Sequence, residues 1–161
     1  GREGMGFVMT LRVLDRSRPG IGAQAVGVAQ GALEAAVDYA RQRIQFGHPI
    51  ISLPVVQDML ADMAIEVEAA RALTYAVARM IDSGAKHFTE ESAMAKVFAS
   101  DVAMKVTTDA VQILGGAGYM RDYPVEKMMR DAKITQIYEG TNQVLRNAIA
   151  FELRKRKARQ E

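Results

Sequence analysis

The hydrophobic and polar positions of the chain follow a helical period over four long stretches. Within each stretch apolar residues recur three and four positions apart, which is the spacing of one helix face. Glycine or proline separates the stretches, and the helices they predict cover roughly residues 18–44, 54–82, 89–114 and 141–153. Stretches of about 25 residues correspond to helices near 40 Å long. Joined by short connections, they predict an all-α fold, an up-and-down antiparallel four-helix bundle.

Individual residues mark several of the predicted helix ends. Pro19 suits the first turn of the first helix. Thr89 is a good N-cap for the third helix, because its side-chain oxygen can accept a backbone N–H. Gly115 and Gly116 close that helix, either as a helix cap or as a place where a ligand pyrophosphate approaches the backbone. The sequence contains neither an alternating apolar–polar run nor an Asn-Gly dipeptide, so no strand or hairpin is predicted.

One irregular segment, residues 115–140, interrupts the helical pattern. It contains four glycines, one proline and many charges, and a short helix is expected around residues 125–132. At its end stands the stretch QIYEGTNQ, in which Glu139 lies between Tyr138 and Gly140 at the entrance to the last helix. Loops on a rigid scaffold often carry function. A carboxylate favoured by the helix dipole is the alternative interpretation of Glu139.

The composition limits the class of protein. The 161 residues are 49% hydrophobic and 25% charged, which is typical of one globular domain with a sizeable core. The chain has no cysteine and two histidines, which excludes a disulfide framework and indicates no metal site. No apolar run approaches the length of a membrane span, and no targeting segment is visible.

The positive charge is concentrated at one end of the chain. The tail RKRKARQE carries five positive charges and one negative, a net +4, so a total of +2 leaves −2 for the rest. Cations suit a solvated helix end, and this interpretation is preferred to nucleic-acid binding. At the other end, GREGMGF lacks the strand–helix–strand context of a dinucleotide fingerprint and indicates a loop between domains. A fragment of a longer protein is expected.

Seven motifs occur in order along the chain: GxxGxGF, LDRSRPGIGAQAVG, YARQRIQFGHPI, VVQDMLADMA, QILGGAGY, PVEKMMRDAKI and QIYEGTNQ. Together they resemble the C-terminal helical domain of the acyl-CoA dehydrogenases, flavoenzymes that oxidise acyl-CoA thioesters. The resemblance covers essentially the whole chain. It implies FAD as cofactor, an acyl-CoA substrate, a homotetramer built as a dimer of dimers, and electron-transfer flavoprotein as acceptor. It also implies a cytoplasmic protein if bacterial and a mitochondrial-matrix protein if eukaryotic.

The resemblance makes Glu139 the catalytic base, which removes the pro-R α-proton while hydride leaves the β-carbon for the flavin. The chemistry agrees, because proton removal beside a thioester needs a carboxylate that is desolvated and aimed. General base catalysis supplies only about 10²–10⁴-fold, or ~3–5 kcal/mol. Enolate stabilisation adds about 3–4 kcal/mol per donor. The family's donors are the backbone N–H of this glutamate and a ribityl hydroxyl of FAD, and Gly140 leaves room for substrate and flavin.

The resemblance also assigns cofactor contacts. Thr141 and Gln143 match residues near the pyrophosphate of the FAD in the same subunit. Arg43, Gln45 and Phe46 match residues that reach the FAD of a neighbouring subunit, although Arg43 also fits a solvated cation at a helix end. The adenosine end of that neighbouring FAD is matched by five consecutive residues: Gln112, Ile113, Leu114, Gly115 and Gly116.

Asp15 and Arg18 match a pair that lies near the CoA, and a local ion pair is the alternative. Tyr138 packs against substrate or flavin, or it fills the core. Arg130 and Asp131 are expected to brace the loop that carries Glu139. One departure from the family pattern is residue 54, where Pro replaces a glutamine that contacts the flavin and leaves Gln57 as a substitute one turn further on.

Two alternatives to a dehydrogenase domain remain open. An acyl-CoA oxidase-like flavoenzyme shares this domain and differs in the reaction of its reduced flavin with oxygen. A non-enzymatic helical oligomerisation module needs no special role for Glu139. Because the family builds its site from three domains, these 161 residues alone are expected to bind FAD weakly and not to turn over.

Overall fold

The computed structural model describes residues 1–158, with side chains described as far as residue 155. This part of the chain contains five α-helices: α1 (Gly6–Gln42), α2 (Pro54–Asp82), α3 (Thr89–Leu114), α4 (Val125–Thr135) and α5 (Asn142–Ala158). The four predicted long helices are confirmed, and so is the all-α class. The short helix expected around residues 125–132 is present as α4.

Helix α1 runs straight through Pro19, so the prediction that Pro19 begins this helix is wrong. Proline has no N–H, and the carbonyl of Asp15 therefore loses its usual partner within the helix. The hydroxyl of Ser92, on α3, donates to that carbonyl instead. A contact from the neighbouring helix thus replaces the missing bond and lets α1 begin at Gly6.

A short hairpin joins α1 to α2, which contradicts the expectation that the chain has none. Strands β1 (Ile44–Gln45) and β2 (His48–Pro49) pair antiparallel. Phe46 (φ 53°) and Gly47 (φ 81°) form the two-residue turn between them, both in the left-handed region. The sequence pattern missed this turn because a phenylalanine occupies the position at which Asn or Asp normally signals it.

Side-chain contacts fix the directions of the first two helices. Gly22 on α1 lies against Thr74 on α2. Further along α1, Gln30 accepts a hydrogen bond from Arg71, which precedes Thr74 on α2. Later positions on α1 therefore meet earlier positions on α2, and the two helices are antiparallel.

Helices α3 and α5 are likewise antiparallel. Asn142, at the start of α5, hydrogen-bonds to Ser100 in the middle of α3. Glu152, near the end of α5, shares a cavity wall with Thr89 at the start of α3. Helices α1, α2, α3 and α5 thus form the predicted up-and-down bundle, and α4 lies in the connection between α3 and α5.

Small side chains form the centre of the bundle. The face of α1 that contacts the other helices is a row of fully buried alanines: Ala25, Ala29, Ala32, Ala36 and Ala40. Facing alanines on α3 are equally buried: Ala95, Ala99, Ala103 and Ala110. Because the distance between packed helices depends on the side chains at the contact, these rows let α1 and α3 approach closely.

The ends of α3 bear out one prediction and overturn another. Gly115 (φ 60°) stands at the C-cap position, as expected. Thr89 does not cap the helix: Phe88 occupies the N-cap position, and the Thr89 hydroxyl donates to Asp15 instead. The residue expected to serve α3 alone therefore ties α3 to α1.

The basic tail begins inside α5, which extends through Ala158. Residues 159–161, at the end of that tail, lie outside the described residues. Across the described part of the chain, none of the helices is both long and apolar enough to traverse a bilayer.

Candidate active site

The segment between α4 and α5 makes a tight turn around Glu139. Glu139 (φ 54°) and Gly140 (φ 103°) both have left-handed backbone conformations. The backbone N–H of Asn142 closes the turn by donating to the carbonyl of Gln136 at 3.0 Å. A positive φ is uncommon for any residue other than glycine, so the surrounding structure must hold Glu139 in place.

Two buried cations hold this turn by its backbone. The Nε of Arg18, on α1, donates to the carbonyl of Glu139 at 3.2 Å. The Nζ of Lys96, on α3, donates to the carbonyl of Gly140 at 2.9 Å. Arg18 is only 7% exposed and Lys96 is 0% exposed. Each side chain crosses from a different helix, and together they fix two successive peptide groups.

Lys96 also anchors the first residue of α5. It donates to the side-chain oxygen of Asn142 at 2.8 Å, and the amide of Asn142 donates to Ser100 and Asp101. Burial lowers the pKa of Lys96 to about 8, the nearby carboxylate of Asp101 raises it, and the charge of Arg18 lowers it further. Removing an ammonium group from water disfavours its charged form, which explains the direction.

The carboxylate of Glu139 is half-buried and has a partner on α1. The Ser17 hydroxyl lies 2.8 Å from its Oε2. The backbone N–H of Glu139 donates to no acceptor among the residues that the structure describes. Glu139 thus combines a carboxylate hydrogen-bonded to Ser17 with a backbone N–H that is available to donate.

Asp15 and Arg18 form a local ion pair, the alternative to a CoA contact, with 2.7 Å between Oδ1 and Nη1. The other oxygen of Asp15 accepts from the Thr89 hydroxyl at 2.6 Å. Both residues are therefore engaged by the protein itself, next to the turn that carries Glu139. A role for them towards CoA stays a prediction.

Three other predicted residues lie at this turn. The Tyr138 hydroxyl donates to Gln24 on α1, which places its ring against that helix. The Thr141 hydroxyl accepts from the N–H of Val144 at 3.3 Å and caps α5, and Gln143 is exposed on the first turn. Their position beside Glu139 follows from the sequence itself, and the ligands assigned to them stay predictions.

The remaining predicted residues lie near the C-terminal end of α1. Arg43 and Gln45 line an open groove of about 440 Å³ together with Ile113, Leu114, Gly115 and Gly116. Ile113 and Leu114 are buried, while Gln112 is exposed beside them. Phe46, at the hairpin tip, is 87% exposed. Residues from two distant stretches of sequence thus form one groove.

The groove and the Glu139 turn are far apart. Arg18 and Arg43 lie 25 residues apart on or next to α1, and a helix rises 1.5 Å per residue, so the separation is about 37 Å. A single dinucleotide does not bridge that distance. If both places hold parts of a cofactor, they hold parts of different molecules.

A family model described as the C-terminal domain of acyl-CoA dehydrogenase matches residues 4–153. The chain belongs to the acyl-CoA dehydrogenase family. It is 60% identical over 146 residues to the probable acyl-CoA dehydrogenase fadE25 of Mycobacterium bovis, covering 91% of this chain and 38% of that protein.

Solved structures of acyl-CoA dehydrogenases have the same fold. Butyryl-CoA dehydrogenase from Megasphaera elsdenii matches with a TM-score of 0.93 and 52% identity, over 95% of this chain and 40% of the other. A chain in the structure reported for the electron transferring flavoprotein of Acidaminococcus fermentans also matches, with a TM-score of 0.93 and 56% identity and the same coverage. The chain spans about 40% of the length of the relatives it matches.

Sequence reasoning missed three residues of this acyl-CoA dehydrogenase domain: Ser17, Lys96 and Asp101. In the sequence Lys96 is one polar position of a helix, and its neighbours in the chain give no sign that its ammonium group is buried. Asp101 accepts hydrogen bonds from Gln136 and Asn142, on both sides of the turn. Ser17 sits within the quoted motif LDRSRP, but only the fold brings it to Glu139.

The expectation that Arg130 and Asp131 brace the Glu139 loop is wrong. Arg130 pairs with Glu126, and Asp131 pairs with Lys127, both one turn away on α4. These are exposed helix-surface pairs of small energetic weight. The bracing comes from Lys96 and Arg18 because those side chains point into the bundle.

Proposed function

We propose that the full-length protein that contains this domain is an FAD-dependent acyl-CoA dehydrogenase. It oxidises an acyl-CoA thioester to the trans-2-enoyl-CoA, with Glu139 as the base. The observation that carries the proposal is the carboxylate of Glu139 on a turn held by two buried cations. A carboxylate fixed on a strained turn suits proton abstraction, because a base must be placed within hydrogen-bond reach of the proton it removes.

Glu139 takes the pro-R proton from the α-carbon of the thioester, and its own carboxyl group holds that proton afterwards. Negative charge then develops on the thioester oxygen. The backbone N–H of Glu139, which no described protein group uses, is available to donate to that oxygen. Bound FAD supplies the acceptor for the hydride that leaves the β-carbon, and the carbon–carbon double bond results.

The start of α5 fits one part of an FAD molecule. The first N–H groups of a helix lack partners within the helix and favour an anion. Thr141 satisfies one of these groups, at Val144, and leaves the end of the helix open beside the exposed side chain of Gln143. Thr141 and Gln143 would therefore hold the pyrophosphate of the FAD whose flavin faces Glu139.

The groove at the other end of α1 fits part of a second FAD. The Arg43 guanidinium has no ion-pair partner among the side chains that the structure describes, and guanidinium groups bind phosphates well. Gln45, Phe46 and the backbone from Gln112 to Gly116 would contact the rest of that molecule. Arg43 lies about 37 Å along α1 from Arg18, which contacts Glu139, so the second FAD would belong to a neighbouring subunit. This sharing supports self-association, and the homotetramer built as a dimer of dimers is the assembly that the family resemblance implies.

The substrate would lie over the turn. Gly140 has no side chain that would obstruct the approach of the substrate to Glu139. Tyr138 lies on the other side of Glu139 along the chain. Asp15 and Arg18 would contact CoA with the hydrogen-bonding capacity that their bonds to each other, to Thr89 and to the Glu139 carbonyl leave unused. These placements follow from the position of each residue beside the base.

Electron-transfer flavoprotein is the proposed acceptor for the full-length enzyme. A chain with this fold occurs in the structure reported for an electron transferring flavoprotein of Acidaminococcus fermentans, and this association supports the choice. The relatives named above are bacterial, which supports the cytoplasmic alternative over the mitochondrial one.

The test uses the full-length flavinated protein, mixed anaerobically with acyl-CoAs of graded chain length while flavin absorbance is followed. The flavin of the wild type should be bleached. In Glu139→Gln the rate of bleaching should fall by at least about 10³-fold. Glu126→Gln, on the surface of α4, should bleach at the wild-type rate. Bleaching that survives in Glu139→Gln would overturn the assignment of the base. Rapid reoxidation by oxygen would identify an oxidase, and a full-length protein without flavin would leave only a structural bundle.

A further inference from the structure

The Ser17 hydroxyl has two acceptors within reach. Its Oγ lies 2.8 Å from Oε2 of Glu139 and 3.2 Å from the carbonyl oxygen of Leu14. A serine hydroxyl has one hydrogen to donate and two lone pairs with which to accept. It can therefore donate to only one of these two groups at a time.

The protonation state of Glu139 decides between the two acceptors. An ionised carboxylate is the stronger acceptor, so the hydroxyl donates to Glu139 across the shorter distance. A protonated carboxyl group becomes a donor itself. It can then donate to Oγ of Ser17, while the serine hydrogen turns towards Leu14. Only a rotation about the Cβ–Oγ bond separates the two arrangements.

We propose that Ser17 is a positioning residue for Glu139, whose hydroxyl reverses its hydrogen bond as the base gains and loses the substrate proton. This inference rests on the proposed function of Glu139. The substrate proton moves from the α-carbon to the Glu139 carboxyl group, and the serine proton stays on Oγ throughout. The carboxyl group keeps one hydrogen bond in both states and so keeps one orientation.

The backbone around Ser17 is suited to this task. Its neighbour Arg18 is buried and bonded to both Asp15 and the carbonyl of Glu139. The turn of α1 that carries Ser17 is thereby fixed relative to the turn that carries Glu139. The hydroxyl can rotate while the two backbones stay in place.

Other charged groups also surround Glu139, and they are the same in wild type and in every Ser17 variant. Helix α1 contributes Arg18 and, beyond it, Asp15. Helix α3 contributes Lys96, whose pKa is lowered to about 8, so its titration is common to wild type and the variants. At the turn, the Tyr138 hydroxyl is engaged by Gln24, and α5 contributes the neutral Asn142. A change in pH dependence on replacing Ser17 therefore reports the hydroxyl.

The test measures proton removal without dehydrogenation. An acyl-CoA analogue with sulfur in place of the β-carbon cannot release hydride, and its α-hydrogens exchange with D₂O only through the base. Exchange is followed by mass spectrometry against pD in full-length flavinated wild type, Ser17→Thr, Ser17→Val and Ser17→Ala. Thr and Val have nearly the same shape, and only Thr has a hydroxyl.

Loss of the hydroxyl should destabilise the carboxylate form of the base. In Ser17→Val and Ser17→Ala, the pD of half-maximal exchange should therefore rise by about half a unit to one unit, while Ser17→Thr matches wild type. A loss of packing alone would lower the plateau without moving this midpoint. The same midpoint in Val and Thr variants would overturn the proposal, as would an equal shift in all three variants.

Glu139→Gln separates the two proposals. Exchange that persists in this variant would refute Glu139 as the base and with it the role of Ser17. If exchange is lost in Glu139→Gln and the midpoint is unmoved in Ser17→Val and Ser17→Ala, the function of Glu139 stands and only the inference on Ser17 fails. Ser17→Ala adds no volume, so it serves if the Val variant does not retain flavin.

Discussion

Glu139 and Gly140 are adjacent residues with left-handed backbones, and each has its carbonyl held by a cation from a different helix. The conformation of Gly140 is easy for glycine and costly for any residue with a Cβ. A Cβ at this position would also lie 3.0 Å from Cδ2 of Leu145, a fully buried side chain on α5. Backbone conformation and packing therefore both require glycine here.

Gly140→Ala should lower the free energy of unfolding by about 1–3 kcal/mol, because it combines backbone strain with a tight contact. Urea denaturation of the chain measures the change. Gly27 on α1 offers a matched control, since its φ is not positive and a Cβ added there would have nothing within 4 Å. Gly27→Ala should be neutral or stabilising by up to about 1 kcal/mol. Equal stability of the Gly140→Ala variant and wild type would show that the turn is not strained.

Lys96 gives the stability of the fold a pH dependence. Its pKa is about 8 in the folded chain, against an ordinary lysine value of 10.5 that applies in the unfolded chain. Between these two values the unfolded chain binds a proton that the folded chain has released. Stability therefore rises with pH across this window, with a slope of at most about 1.4 kcal/mol per pH unit.

Relative to Lys96→Met, wild type should gain stability as pH rises from about 8 to 10.5. Urea denaturation of both proteins at several pH values isolates the contribution of Lys96 from that of other titrating groups. Lys105 is the matched control, because its hydrogen bond to Glu66 raises its pKa. The difference between wild type and Lys105→Met should stay flat in this window, since that contribution is lost only above the ordinary lysine value. A flat or falling difference for Lys96 would contradict a lowered pKa in the folded chain.

At the scale of the elements, α1 depends on α3 for a hydrogen bond that Pro19 removes. The Asp15 carbonyl is left without its helical donor, and Ser92 supplies one from α3. This explains how a 37-residue helix continues through a proline without a break at that residue. The same turn of α1 carries Ser17 and Arg18, so the contact also holds the residues that face Glu139.

Ser92→Ala should destabilise the chain by about 1–3 kcal/mol, because it leaves the half-buried Asp15 carbonyl without a donor. The cost should shrink in a Pro19→Ala background, where the restored N–H of residue 19 can donate to Asp15. A double-mutant cycle measured by urea denaturation gives the coupling directly. Costs that add without coupling would show that Ser92 serves some other group.

Local signals account for the elements that the sequence predicted well, and distant contacts account for those it missed. Helix α2 has the predicted bounds because Pro54 and Gly84 act on their own neighbours in the chain. The start of α1 was misplaced because the tolerance of Pro19 depends on Ser92, which lies on a different helix. In the site, the motif indicated Glu139, while the burial of Lys96 is a property of the assembled bundle and has no local signal.

At the scale of the whole molecule, the proposed function places parts of two binding sites in one chain, at well-separated points along α1. The turn at Glu139 carries a carboxylate and a helix N-terminus, and the groove at Arg43 is lined by a guanidinium and by the backbone of Gly115 and Gly116. Both surfaces are open to solvent in this chain. Near the first of them, apolar side chains at the start of α1 are exposed, including Phe7, Leu11 and Val13. Further protein surface would complete both places.

The 161-residue chain should therefore fold into a helical bundle. Its affinity for FAD should be at least about 100-fold weaker than that of the full-length protein, because losing about 3 kcal/mol of contact energy weakens binding by that factor. It should also fail to oxidise any acyl-CoA. Circular dichroism checks the helical fold, and fluorescence titration with FAD measures affinity for both proteins under the same conditions. A weak fragment beside a tight full-length protein would place the missing contacts outside these helices. A fragment that holds FAD tightly and turns over would contradict this prediction and show that the helical domain alone supplies the contacts that FAD and the substrate need.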